Sequence, residues 1–207
     1  TLLDTLEDLA ASTNRCLARL GLPGHPAEAY RYFVGDGLAN LALRVLPPDR
    51  RDPATTQTLR EGFNQDYAAH WADRTRPYEG IPGLLQALDA RGLPMAVLSN
   101  KPDVFTKSCV REYLAQFPFE AVLGQREGVP RKPDPVGALE IAAVMDLAPD
   151  EFLYVGDTAV DMQTALAAGM FPVGVLWGFR PLPELLAGGS RAVIAHPAEL
   201  LRWFPQD

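Results

Sequence analysis

An α/β fold is predicted for this chain of 207 residues: a parallel β-sheet with helices on both faces, and a helical segment inserted near its start. Two observations carry the prediction. Apolar residues recur at helical spacing through the first third, and everything after Arg76-Pro77-Tyr78 alternates short β-rich runs with helical stretches. Such alternation implies parallel strands joined by right-handed crossovers, which place helices on the two faces of a sheet.

Taken in order, residues 7–76 read as several helices. Leu9, Leu17 and Leu20 share one periodic face, Leu38, Leu41, Leu43 and Val45 another, and Phe63, Tyr67 and Trp71 a third. Gly21-Leu22-Pro23-Gly24 and Pro47-Pro48-Asp49 separate them, because glycine and proline punctuate helices. Asp4 stands where it can cap the first of these helices. Strands are expected near residues 94–98, 120–124, 152–155, 172–176 and 191–195, where branched and aromatic residues cluster between turn signals. Pro133 and Pro135 suit a helix start, and the helix runs from Val136 to Met145.

Composition is that of a compact domain. With 47% hydrophobic residues the chain can bury one substantial core and a small appended unit. The net charge is −7, and the basic cluster Arg50-Arg51 lies between Asp49 and Asp52, so a nucleic-acid partner is not expected. No apolar run reaches the ~18 residues a membrane-spanning helix needs. Cys16 and Cys109 have no metal-type spacing and read as reduced packing residues, which points to the cytoplasm. His25, His70 and His196 are scattered beside prolines or on polar helix faces and are not expected to be catalytic.

The chemistry concentrates at strand ends. Asp157 and Asp161 follow the strand Phe152-Leu153-Tyr154-Val155, at the edge of an open sheet where ligands bind. Carboxylates at that edge suit Mg²⁺, which prefers hard oxygen donors. They equally suit the start of a helix, where Asp caps N–H groups and meets the positive end of the dipole. Ser99 follows Met95-Ala96-Val97-Leu98, and Lys132 precedes the proline-rich helix start. A hydroxyl, an ammonium and two carboxylates converging on one edge make a site for a phosphate and its Mg²⁺.

In that order and spacing, these residues resemble the haloacid dehalogenase superfamily of phosphatases, and most closely its bacterial phosphoglycolate phosphatase group. The resemblance runs through Thr1-Leu2-Leu3-Asp4-Thr5, Ser99-Asn100-Lys101-Pro102, Gly124-Gln125, Lys132-Pro133-Asp134-Pro135, Gly156-Asp157 to Asp161, and Trp177-Gly178-Phe179-Arg180. It implies a three-layer, Rossmann-like core (residues 1–6 and 78–207) and a helical cap domain (residues 7–77) hinged on two linkers. It also implies Mg²⁺ at Asp157, with Asp161 orienting water ligands or Lys132. Ser99 and the Asn100 N–H would grip phosphoryl oxygens, while Lys132 offsets charge, so that replacing Lys132 should cripple chemistry more than folding. Phe33-Val34-Gly35-Asp36-Gly37 stands where relatives carry a substrate-selecting loop, although its glycines equally suit an interhelical turn. Arg180 either reaches the substrate or makes a salt bridge.

The family's first motif, D-x-D-G-T, supplies the nucleophile and the general acid/base. This chain begins at its threonine, so those two aspartates would lie four and two positions before Thr1. Deleting the strand that carries them would strand buried backbone groups at about 1–3 kcal/mol each, so an upstream segment of about ten residues is expected. The resemblance implies hydrolysis of a small phosphorylated metabolite, 2-phosphoglycolate foremost, through an aspartyl-phosphate, by a monomer or homodimer. Three alternatives share features with this reading: a metal-free dehalogenase, a sugar-phosphate mutase, and a non-catalytic binding protein lacking the first motif.

Overall fold

The computed structural model describes residues 1–204. The chain divides into two compact units, residues 3–76 and residues 1–2 with 77–207.

The smaller unit is helical. After the short strand β1 (Leu3–Asp4) come α1 (Leu6–Arg19), α2 (Tyr30–Phe33), α3 (Leu38–Val45) and α4 (Pro53–His70), and β2 (Arg76–Pro77) closes the segment. Helices α1 and α4 bury Leu17, Leu59 and Tyr67 between them, and the Phe63 and Tyr67 rings stack at 5.1 Å. A polar network supplements this core. The Asp66 carboxylate accepts from Arg15 Nη2 at 2.6 Å and from Arg19 Nη2 at 2.8 Å. Buried Asp8 accepts from the backbone N–H of Arg74 and from both the N–H and the hydroxyl of Thr75, which satisfies donors that have no helical partner. Asp4 Oδ1 accepts from the N–H of Leu6 at 3.3 Å, at the start of α1.

The larger unit is α/β. Its elements are α5 (Ile81–Asp89), β3 (Met95–Pro102), α6 (Asp103–Tyr113), β4 (Phe119–Gln125), α7 (Val136–Met145), β5 (Leu153–Gly156), α8 (Ala159–Ala168), β6 (Phe171–Val175), α9 (Leu182–Ala187) and β7 (Ala192–Ile194). All pairings are parallel: β3 lies beside β4, and β5, β6 and β7 follow in order. Among the described residues these strands form two parallel sheets, as expected where the strand between β3 and β5 is read as lying before Thr1. No described strand pairs with both β3 and β5, so the ladder is interrupted there. Both sheets nevertheless share one core. Ala138 and Ala142 of α7 pack with Ala165 and Ala168 of α8, and Leu98 and Tyr154 close the cluster from β3 and β5. Alanines let the two helices approach closely. Gly137 is needed for the same reason, since a Cβ there would lie 2.8 Å from Leu98 Cδ1.

Strand β3 also runs further than the sequence pattern suggests. It continues past Ser99 to Pro102, with a register shift between Leu98 and Pro102 that sets extra residues of β3 against β4. Such a bulge bends a strand and re-aims its side chains. Here it holds Ser99 and Asn100 out of the regular ladder. Cys16 and Cys109 are buried and form no disulfide. No helix among the described residues is long and apolar enough to cross a membrane.

Candidate active site

The C-terminal ends of β3 and β5 bring four of the expected site residues together. Lys132 Nζ lies 2.7 Å from Asp161 Oδ1 and donates to the Leu98 carbonyl at 3.3 Å. The Lys132 and Asp161 side chains are 13% and 8% exposed. Burial pulls the ammonium's pKa down, but Asp161, Tyr154 and Asp157 outweigh it, so Lys132 titrates above its ordinary range and stays charged. Burial also pushes the neighbouring Tyr154 hydroxyl up to about 12.

Asn100 sets the backbone of this corner. Its Oδ1 accepts from the N–H of Lys132 at 2.9 Å, and its Nδ2 donates to the Lys132 carbonyl at 3.1 Å. The side-chain amide thus closes a two-bond ring on the lysine's own peptide groups, tying the bulge of β3 to the loop before α7. Ser99 Oγ accepts from the Lys101 N–H at 3.1 Å, which leaves its hydroxyl hydrogen available to a ligand.

The two aspartates do different work. Asp161 is fully engaged: Oδ1 pairs with Lys132, and Oδ2 accepts from the N–H groups of Asp157 and Thr158 and from the Thr158 hydroxyl. Thr158 and Asp161 form a reciprocal capping box at the start of α8. Asp157 Oδ2 accepts from the Phe179 N–H at 2.8 Å, and Oδ1 accepts from the Thr1 hydroxyl.

Two glycines make this packing possible. A Cβ at Gly156 would come within 3.0 Å of Asp161 Cβ, Cγ and Oδ2, and one at Gly178 would do the same to Asp157. Thr158, Phe179 and the side-chain role of Asn100 were not singled out from the sequence. The spacing Thr158-x-x-Asp161 is a legible capping signal, whereas a backbone donor such as Phe179 leaves no mark in the residue types.

The donor set fits a magnesium ion. Mg²⁺ keeps several waters and takes only one or two protein carboxylates, so a cage of three acidic side chains is not required. No group of three or more such ligating side chains converges among the described residues. Asp157 is the better ligand of the pair, since Asp161 carries the Lys132 ammonium on Oδ1 and three donors on Oδ2, whereas Asp157 takes the Phe179 N–H on Oδ2 and the Thr1 hydroxyl on Oδ1.

The other expected residues make contacts of their own. Arg180 is buried with its Nε 3.1 Å from Glu184 of α9. Gly35 and Asp36 lie in the turn between α2 and α3 of the helical unit. Arg44 donates there to the carbonyls of Tyr32 and Phe33 and pairs with Asp36. At Gly35, φ is 116°, a conformation that favours glycine.

A hydrolase fold with a lysine, a hydroxyl and carboxylates at adjoining strand ends agrees with the comparisons. The family model of haloacid dehalogenase-like hydrolases matches residues 1–175, and the chain belongs to that family. A phosphoglycolate phosphatase of Thiobacillus denitrificans is 35% identical over 191 residues, covering 89% of this chain and 84% of the relative. An N-acetylmuramic acid 6-phosphate phosphatase of Pseudomonas aeruginosa is 31% identical and covers 97% and 89%. Among solved structures, one from Lactobacillus delbrueckii subsp. bulgaricus, provisionally named a phosphoglycolate phosphatase, superposes with a TM-score of 0.92. It is 28% identical, with 100% of this chain and 95% of that one covered.

Proposed function

We propose that the protein is a Mg²⁺-dependent phosphatase that hydrolyses a small phosphate monoester, with 2-phosphoglycolate as its substrate. The observation that carries this reading is the buried Lys132–Asp161 pair beside Asp157 and Ser99, a fixed positive charge and a carboxylate at one sheet edge.

Each residue has a role that its geometry supports. Lys132, kept charged by Asp161, faces the phosphoryl group and lowers the repulsion between two approaching anions. The Ser99 hydroxyl and the Asn100 N–H bind phosphoryl oxygens, and the Asn100 side chain keeps Lys132 in register with them. Asp157 would hold the metal, and Asp161 beside it positions Lys132 or would orient water at the ion. Mg²⁺ in that place supplies charge neutralisation at the phosphoryl oxygens. The nucleophile in this reading is an aspartate four positions before Thr1, which forms an aspartyl-phosphate, with a second aspartate two positions before Thr1 as acid and base. Covalent capture splits one difficult displacement into two easier ones. Among the described residues β3 and β5 belong to separate sheets, and a strand carrying those two aspartates could pair with both. Residues 1–6 and 78–207 are the core domain in this scheme, and residues 7–77 the helical cap domain. Arg180 is assigned to substrate binding, and the Gly35-Asp36 turn to substrate selection within the helical unit.

The relatives narrow the substrate. Phosphoglycolate and N-acetylmuramic acid 6-phosphate, named for two of them, are both phosphate monoesters bearing a carboxylate. The test is phosphate release by the full-length protein with Mg²⁺ from those two compounds, sugar phosphates, nucleoside monophosphates, flavin mononucleotide and pyrophosphate. The highest kcat/KM is expected for phosphoglycolate. A preference for N-acetylmuramic acid 6-phosphate would replace the substrate but keep the chemistry, and no release from any ester would sink the phosphatase reading.

A further inference from the structure

The turn after β6 does not belong to the phosphate-facing residues, yet three consecutive residues in it organise Asp157. Strand β6 pairs with β5 up to Gly156↔Gly174, so the chain leaving β6 passes directly beside the chain leaving β5. Trp177 Nε1 donates to the Thr1 carbonyl at 2.8 Å, fixing the backbone of the residue whose hydroxyl meets Asp157 Oδ1. Gly178 is buried against the aspartate. Phe179 gives its N–H to Oδ2 at 2.8 Å.

Gly178 is not among the glycines with positive φ. Its backbone is therefore open to any residue, and what demands glycine is space. A Cβ there would fall within 3.0 Å of Asp157 Cβ, Cγ and Oδ2, so the carboxylate occupies the volume a side chain would fill. Oδ2 takes the Phe179 N–H and Oδ1 the Thr1 hydroxyl, and a carboxylate oxygen that accepts one hydrogen bond keeps a second lone pair for a cation.

We propose that the Trp177-Gly178-Phe179 turn is the seat that presents Asp157 Oδ1 to a divalent cation, with Gly178 as a positioning residue. This rests on the reading of Asp157 as the metal ligand. The turn fixes the carboxylate in one rotamer before metal arrives, and the cation meets a preorganised oxygen instead of a mobile one. Supporting partners of this kind change metal affinity without touching the ion.

The experiment is calorimetric titration of the full-length protein with MgCl₂, together with the thermal midpoint of the metal-free protein, for the parent, Gly178→Ala, Asp157→Asn, Asp157→Gly and Gly178→Ala/Asp157→Gly. Gly178→Ala is expected to raise the Mg²⁺ Kd about 10–100-fold. It should also lower the midpoint in the parent background but leave it unchanged when residue 157 is glycine, because the clashing carboxylate is then gone. A variant Gly178→Ala that fails to fold, with a double variant that folds, supports the same conclusion. An unchanged Mg²⁺ Kd in Gly178→Ala, where Asp157→Asn abolishes binding, would overturn the seat and leave the metal assignment standing. Equal loss of midpoint in both backgrounds would also overturn it. Parent protein that binds no Mg²⁺, indistinguishable from Asp157→Asn, would overturn the metal reading itself and with it the role given to Gly178.

Discussion

Lys132→Met probes the centre of the site, because it deletes one charge while keeping most of the side chain's volume. The ammonium and the Asp161 carboxylate are 2.7 Å apart, with side chains 13% and 8% exposed. Removing one partner of a buried pair costs about 3–5 kcal/mol, since the remaining charge stays out of water. Asp161 Oδ2 keeps three donors, from Asp157 and Thr158, which places the cost near the lower end. For a chain of this size about 1 kcal/mol moves the thermal midpoint by 2–4 °C, so a loss of about 3 kcal/mol corresponds to about 6–12 °C. Circular dichroism melts and urea titrations of parent and variant measure it, and phosphate release measures the parallel loss of turnover. The sequence reading expects replacement of Lys132 to cripple chemistry more than folding, and the burial of the pair adds an expected loss of stability. A variant that melts within about 2 °C of the parent would refute the structural role argued here.

Asp157→Asn keeps the shape of the residue but removes the charge assigned to the metal, so hydrolysis should fall by orders of magnitude. Retention of most activity at saturating Mg²⁺ would remove Asp157 from the site. In the helical unit, burial raises the Asp66 carboxyl, but Arg15, Ser12 and Arg19 outweigh it and its folded pKa is depressed. A depressed carboxyl stabilises the fold above its unfolded value of about 3.9 and loses that contribution as pH falls further. Stability measured from pH 7 downward should therefore drop below about pH 4, and Asp66→Asn should flatten that limb; an acid limb of unchanged depth would contradict the assignment. At neutral pH, Asp66→Asn should cost about 1–2 kcal/mol, discounted because Arg15 and Arg19 are 39% and 60% exposed. Gly124→Ala should destabilise by about 1–3 kcal/mol or more, because a Cβ there would meet the Asp103 backbone within 3.0 Å and main chain does not give way. A neutral result in urea titration would mean that α6 can shift.

Much of the larger unit is legible in the residues themselves. Period-two and apolar runs place β4, β5, β6 and β7 within a residue or two of their positions, because strand burial selects branched and aromatic side chains locally. Pro133 and Pro135 announce the start of α7, and Thr158-x-x-Asp161 announces that of α8. The residue types at Ser99, Lys132, Asp157 and Asp161 likewise belong to the sequence, as does the resemblance that orders them. Tertiary structure decided the rest, for reasons of distance. Only the fold brings Lys132 to Asp161 across 29 residues and Asn100 to the Lys132 backbone across 32, and burial there turns a surface-type residue into half of an ion pair. The bulge that carries β3 past Ser99 arises from pairing with β4, which local composition does not encode. Gly178 shows the same division most sharply: the sequence records that no side chain is there, and the fold alone reveals that the carboxylate of Asp157, 21 residues earlier, fills the space.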